Sequence, residues 1–155
     1  MNPLVLTLLL LICPICGTAA SIVYRRAQGK PILFFGVPNA VYQDRFASGH
    51  SNRTSFAKLG GARNCLVVAV AAGRLIVRPL FPFNLMFIPE FYCLEFDVPT
   101  EQLLKVSARN LMLRDAIEIE VRSDDGTIGV LTLYIRNSDK FLDAVNSSQQ
   151  NDPQP

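Results

Sequence analysis

The sequence predicts a mainly β domain, an antiparallel barrel or half-barrel with a short C-terminal helix, preceded by one N-terminal transmembrane helix. Three observations carry this expectation. Residues 3–24 hold no charge and run through Leu8, Leu9, Leu10, Leu11 and Ile12 before stopping at Arg25 and Arg26. Further on, apolar residues recur mostly with a period of two, as half-buried strands require. Near the end, Phe141, Leu142 and Val145 return to helical spacing behind the helix-start residues Asn137, Ser138 and Asp139.

The apolar run comes first. Its 22 residues exceed the roughly 20 that a spanning helix needs. A secretory signal would carry a cationic start and a shorter apolar core. Here Met1, Asn2 and Pro3 supply no Lys or Arg, so an anchor is preferred to a cleaved signal, although Thr18 and Ala20 are small enough to mark a cleavage site. Arg25, Arg26 and Lys30 all follow the run. The positive-inside rule therefore places the downstream domain on the cytoplasmic side of an inner or plasma membrane. The expected organisation is a transmembrane helix with its basic flank over 1–26, a β domain over 27–146 and a disordered tail over 147–155, which has no apolar side chain to bury.

The reading of the cysteines depends on that compartment. Cys13 and Cys16 sit inside the apolar run, without the setting of a redox pair or the partners of a metal site. Cys65 and Cys93 lie in strand-like runs and read as free buried thiols; were the N-terminus a cleaved signal, they would become a disulfide candidate.

Element by element, the clearest feature is a hairpin. Ile117, Ile119 and Val121 alternate with Glu118, Glu120 and Arg122; Asp124, Asp125 and Gly126 turn the chain, and 128–136 returns beside it. A second hairpin is expected from 65–70 and 74–78 around Ala71, Ala72 and Gly73. Further strands are expected over 91–98 and 104–109, broken by Pro99, and over 32–36 and 41–46, turned by Pro38 and Asn39. The closing helix is expected to make about two turns, too short to stand without packing on the sheet.

Six or seven antiparallel strands followed by one helix is the element order of a pleckstrin-homology-like (PH-like) barrel. The run GGARNCLVVAVAAGRLIVRP resembles a strand pair of GRAM and bacterial PH-like domains, EFDVPTEQLLKVS is similar to the segment that follows, and RNSDKFLDAV to their closing helix. The resemblance spans roughly residues 60–146, and it extends to short membrane-anchored bacterial proteins of unknown function. It implies a PH-like (GRAM-like) fold. Two features depart from that pattern: a shorter closing helix, and no evident first strand before residue 60.

Charge is unevenly spread. Between Arg25 and Arg78 nine cations face the single acid Asp44, giving +8; from Pro79 onward six cations face twelve acids, giving −6. A basic juxtamembrane region is drawn to anionic headgroups by about 1 kcal/mol per residue. Arg45, Arg53, Lys58 and Arg63 are the candidate lipid-binding residues, the last three in a polar Gly-rich loop over 48–63 whose amides, hydroxyls and guanidinium groups suit a phosphate. The glycine and Gly-Lys-Ser/Thr spacing of a P-loop is absent. Phe81, Phe83 and Phe87, in a proline-broken aromatic segment, are candidates for contact with a membrane or a protein partner.

Nothing in the sequence outlines a catalytic centre. The one histidine, His50, has no nucleophile elbow, zinc spacing or nucleotide fingerprint around it. The expectation is a non-catalytic, single-pass, membrane-anchored module, with no metal, cofactor or nucleic acid, that binds lipid headgroups or a protein partner. The alternatives are a structural or assembly protein contacting a membrane protein through its aromatic segment, and an exported β-rich domain released near Ala20.

Overall fold

The computed structural model describes residues 3–53, 57, 60–86, 92–111, 114–122 and 126–150. Helix α1 (Pro3–Ala27) is followed by strands β1 (Tyr42–Ser51), β2 (Ala62–Ala71), β3 (Arg74–Pro79), β4 (Phe96–Pro99), β5 (Leu103–Leu111), β6 (Arg114–Arg122) and β7 (Ile128–Tyr134), and by helix α2 (Ser138–Gln150). All strand pairs are antiparallel, in one open sheet of order β4-β3-β2-β1-β7-β6-β5.

The period-two pattern explains the core directly. Ile117, Ile119 and Val121 on β6 and Leu131 and Leu133 on β7 are fully buried, and they meet Leu66, Val68, Val70, Leu75 and Val77 from the other arm of the sheet. Helix α2 closes this core with Phe141, Ala144 and Val145. Phe141 meets the Tyr42 ring edge-on at 5.4 Å, a preferred aromatic geometry.

Strand β1 joins the two arms. Its first part pairs with β2 and its last four residues with β7, and the β2 register shifts between Arg45 and Ala47 and again between Ala47 and Gly49. Such bulges bend a strand and increase its twist. The bend lets one strand serve both arms of the sheet.

Several boundaries differ from expectation. Residues 32–36 form no strand. They fold back instead: the Phe34 carbonyl accepts from the Phe81 amide at 3.1 Å, and Arg78 lies over the buried Phe34 ring at 5.5 Å. Strand β1 runs to Ser51, so Ser48, Gly49, His50 and Ser51 belong to the sheet and not to a loop. Strand β4 is confined to Phe96–Pro99. Helix α2 has 13 residues rather than two turns and continues through residues 147–150, expected as disordered tail. There Ser147 and Ser148 hydroxyls donate back to the Asp143 and Ala144 carbonyls, and the Gln149 amide donates to the Thr100 carbonyl at 3.0 Å. Residues 151–155 lie outside the described set.

The N-terminal run is helical from Pro3 to Ala27. Among the described residues no helix is long and apolar enough to cross a membrane. The side chains of residues 3–11, 13 and 14, on which most of the expected span falls, lie outside the described set.

Candidate functional site

Among the described residues, two places gather polar side chains. The first is a groove of about 610 Å³ at the β1 bend, lined by Asp44, Phe46, Ser48, Asn64, Asp115 and Arg136 among others. Phe46 stands 51% exposed with φ of +68°, and Asn64 on β2, opposite Ser48, has φ of +52°. A left-handed backbone is costly for a bulky side chain, and residues held there cluster at binding sites. Side-chain hydrogen bonds hold Asn64 and the polar lining of the groove. Ser48 Oγ accepts from the Asn64 amide at 3.0 Å and donates to Asn64 Oδ1 at 3.3 Å; the Asp44 carboxylate accepts from the Arg136 amide at 2.8 Å, and Ser138 Oγ donates to Asp115 at 3.3 Å.

Two carboxylates against one guanidinium make this groove a poor cradle for phosphate, which it would repel. It suits a polar or cationic segment of a partner. Beneath it, burial and then the Asp44 charge push the Tyr42 phenol well above its ordinary range.

The second place is the joint between α1 and the domain. Arg25 is only 1% exposed. Its guanidinium donates to Glu95 Oε1 at 2.6 Å, to the Asn84 carbonyl at 3.3 Å and to the Pro31 carbonyl at 3.2 Å. Lys30 reaches the other Glu95 oxygen at 2.7 Å. Burial alone would raise the Glu95 carboxyl, but the bonds from Lys30 and Arg25 outweigh it and hold the carboxyl below its usual range. Asn84, fully buried in the 3-10 turn Phe83–Leu85, donates to the Ile32 carbonyl at 2.7 Å and so ties this turn to the chain leaving α1.

Among the described residues, Arg45, Arg53 and Arg63 of the expected lipid-binding set occupy separate places. Arg45 and Arg63 are exposed, but Arg45 pairs opposite Val67, which lies four residues along β2 from Arg63, a separation of roughly 13 Å along the strand. Arg53 lies over the Phe96 ring at 4.9 Å, with its side chain against Gly129, so it bridges β4 and β7. Lys58 lies outside the described residues. The +8 half is also partly neutralised, since Arg25 and Lys30 pair with Glu95, and Arg74 and Arg78 with Asp97 at 2.7 and 2.9 Å.

Gly49 on β1 and Gly61 just before β2 serve packing. A Cβ on Gly61 would meet the Gly49 carbonyl oxygen at 2.6 Å, and one on Gly49 would meet Leu133 and the Thr132 carbonyl at 2.9 Å. His50, on β1, is half-buried with its ring centroid 6.2 Å from that of Tyr134.

Of the aromatic candidates, Phe81 is half-buried against Phe35 at 5.7 Å, Phe83 is exposed, and Phe87 lies outside the described residues. Cys16, Cys65 and Cys93 are free; burial pushes the Cys65 thiol up. No group of three metal-ligating side chains occurs among the described residues. Sequence reading missed the joint, because Arg25 and Glu95 stand 70 residues apart and neither neighbourhood marks the other. No family model matches the chain, and no curated protein matches it significantly.

Proposed function

We propose that the chain is a single-pass membrane protein whose PH-like, GRAM-like domain is non-catalytic, faces the cytoplasm from the inner or plasma membrane, and binds a protein partner in the β1 groove. The joint carries this reading. Helix α1 has 25 residues, about 37 Å at 1.5 Å per residue, against a hydrocarbon core of roughly 30 Å. Its last turn passes into the domain without a linker, since Ser21 and Arg25 are both buried. A domain held so rigidly to an apolar helix is built to work beside what that helix is embedded in. The strand order and the closing helix support the PH-like assignment. The charge and the strained Phe46 of the groove support a protein partner.

Exposed Arg45 and Arg63, which form no ion pair among the described residues, favour anionic headgroups as the second reading. Two experiments separate these possibilities. The full-length chain should stay in the membrane pellet after alkaline extraction with residues 1–20 intact by mass; release to the supernatant contradicts the anchor. A photo-cross-linker in place of Phe46 should give a protein adduct that disappears in Asp115→Lys. Salt-sensitive binding to anionic vesicles with no such adduct would favour headgroups instead.

A further inference from the structure

Large exposed apolar side chains are concentrated at one end of the molecule. Of the twelve on the described surface, Ile12, Ile15, Val23 and Tyr24 lie on α1, and Leu33, Phe35, Phe83 and Met86 lie on the two segments that clasp its last turn. Leu33 is 62% and Met86 64% exposed. Three separate stretches of sequence meet there: Arg25 bonds to Pro31 and Asn84, Asn84 bonds to Ile32, and the Phe35 ring lies against Phe81. Exposed apolar groups clustered in this way mark an interaction surface, whereas scattered ones need no explanation.

The joint also fixes the height of this surface along α1. Ser21 and Arg25 are buried, one helical turn apart on the same face, while Val23 and Tyr24 remain exposed. Residues bonded to Arg25 therefore sit level with the last turn of the helix. That turn is where an apolar run ending at Tyr24 leaves the hydrocarbon, the depth at which aromatic rings are enriched.

We infer that Tyr24, Leu33, Phe35, Phe83 and Met86 form a collar that seats the domain in the acyl-headgroup boundary of the bilayer around α1. This rests on the reading of α1 as a span. The bilayer is preferred to a second protein because the collar is continuous with the apolar helix. Attachment here comes from apolar insertion, with the Arg25 and Lys30 charges already used by Glu95. The basic flank thus locks the domain in position, and the hydrophobic side chains make the contact.

The chain has no tryptophan, so single substitutions report cleanly. Full-length Ile15→Trp, Phe35→Trp, Phe83→Trp and Val41→Trp chains are reconstituted in zwitterionic phosphatidylcholine vesicles, with and without bromine near the glycerol end of the acyl chains. Val41 is 71% exposed and its amide donates to the Val70 carbonyl, five residues along β2 from Cys65, whose carbonyl accepts from the amide of Leu80 beside Phe81. The collar predicts blue-shifted, bromine-quenched emission at Phe35→Trp and Phe83→Trp, unchanged by salt, and unquenched emission at Val41→Trp. Quenching at Ile15→Trp alone overturns the collar and leaves the anchor standing. Blue-shifted emission at Phe83→Trp without bromine quenching overturns it in favour of a protein contact. No quenching at Ile15→Trp overturns the anchor and the collar together.

Discussion

At Glu95 a carboxylate only 14% exposed answers a guanidinium that is almost completely buried. Removing one partner of a buried pair leaves the other charge uncompensated, which costs about 3 kcal/mol. Glu95→Gln is therefore expected to lower stability by about that amount in urea titrations of the full-length chain, whereas Asp97→Asn, whose pairs with Arg74 and Arg78 are solvent-exposed, should cost less than about 1 kcal/mol. The pH dependence has a definite sign. The folded pKa of Glu95 lies below the ordinary 4.5, so as pH falls the unfolded chain takes up the proton first. The contribution is complete above that value and is lost as pH falls through the folded pKa. The stability difference between the native chain and Glu95→Gln should accordingly narrow in acid. Phe46 makes a different prediction, since its left-handed backbone costs about 1–2 kcal/mol and its ring is half exposed. Phe46→Gly is expected to raise the thermal unfolding midpoint while removing the groove's aromatic wall; a lowered midpoint would show that the ring contributes more to packing than its exposure implies.

Strands β1 and β2 approach so closely at the bend that glycine is required there. Gly61→Ala should destabilise the chain, because the added methyl would meet backbone rather than a movable side-chain tip. At the other end of the core, Phe141→Ala removes a fully buried ring and should cost about 3–5 kcal/mol, read from the denaturant midpoint. How far the elements were legible follows from the same packing. Strands β6 and β7 were readable because Ile117, Ile119 and Val121 alternate with charges on a sheet with one wet face. The expected strand at 32–36 was not, because its apolar composition fits a covering segment as well as a strand, and only its contacts with Arg78 and Phe81, about 45 residues on, decide between them. Strand β1 was cut short in the sequence reading because Ser48, Gly49 and His50 look like loop chemistry, while their place is set by long-range pairing with β7. Helix α2 was shortened for a related reason: Ser147 to Gln150 have no apolar stripe, and side-chain bonds back to the backbone extend the helix through them.

Across the whole molecule, the charge asymmetry of the sequence is largely folded against itself. Glu95 and Asp97, from the acidic half, take up four of the nine cations of the basic half. Composition exposed the asymmetry but could not show this pairing, and Arg45, Arg53 and Arg63 consequently looked more like one site than their separate places allow. What remains at the α1 end of the domain is the helix, its locked joint and the exposed side chains of Leu33, Phe35, Phe83 and Met86. Membrane attachment as proposed requires that α1 be retained as a span and carry the domain on the cytoplasmic side. The direct measurement is protease accessibility of an epitope appended after Pro155 in the full-length chain, compared between intact and lysed cells. The expected result is a membrane-bound chain with its N-terminus uncleaved and an epitope digested only after lysis. Digestion in intact cells, or recovery of a soluble chain beginning at Ser21, would contradict it.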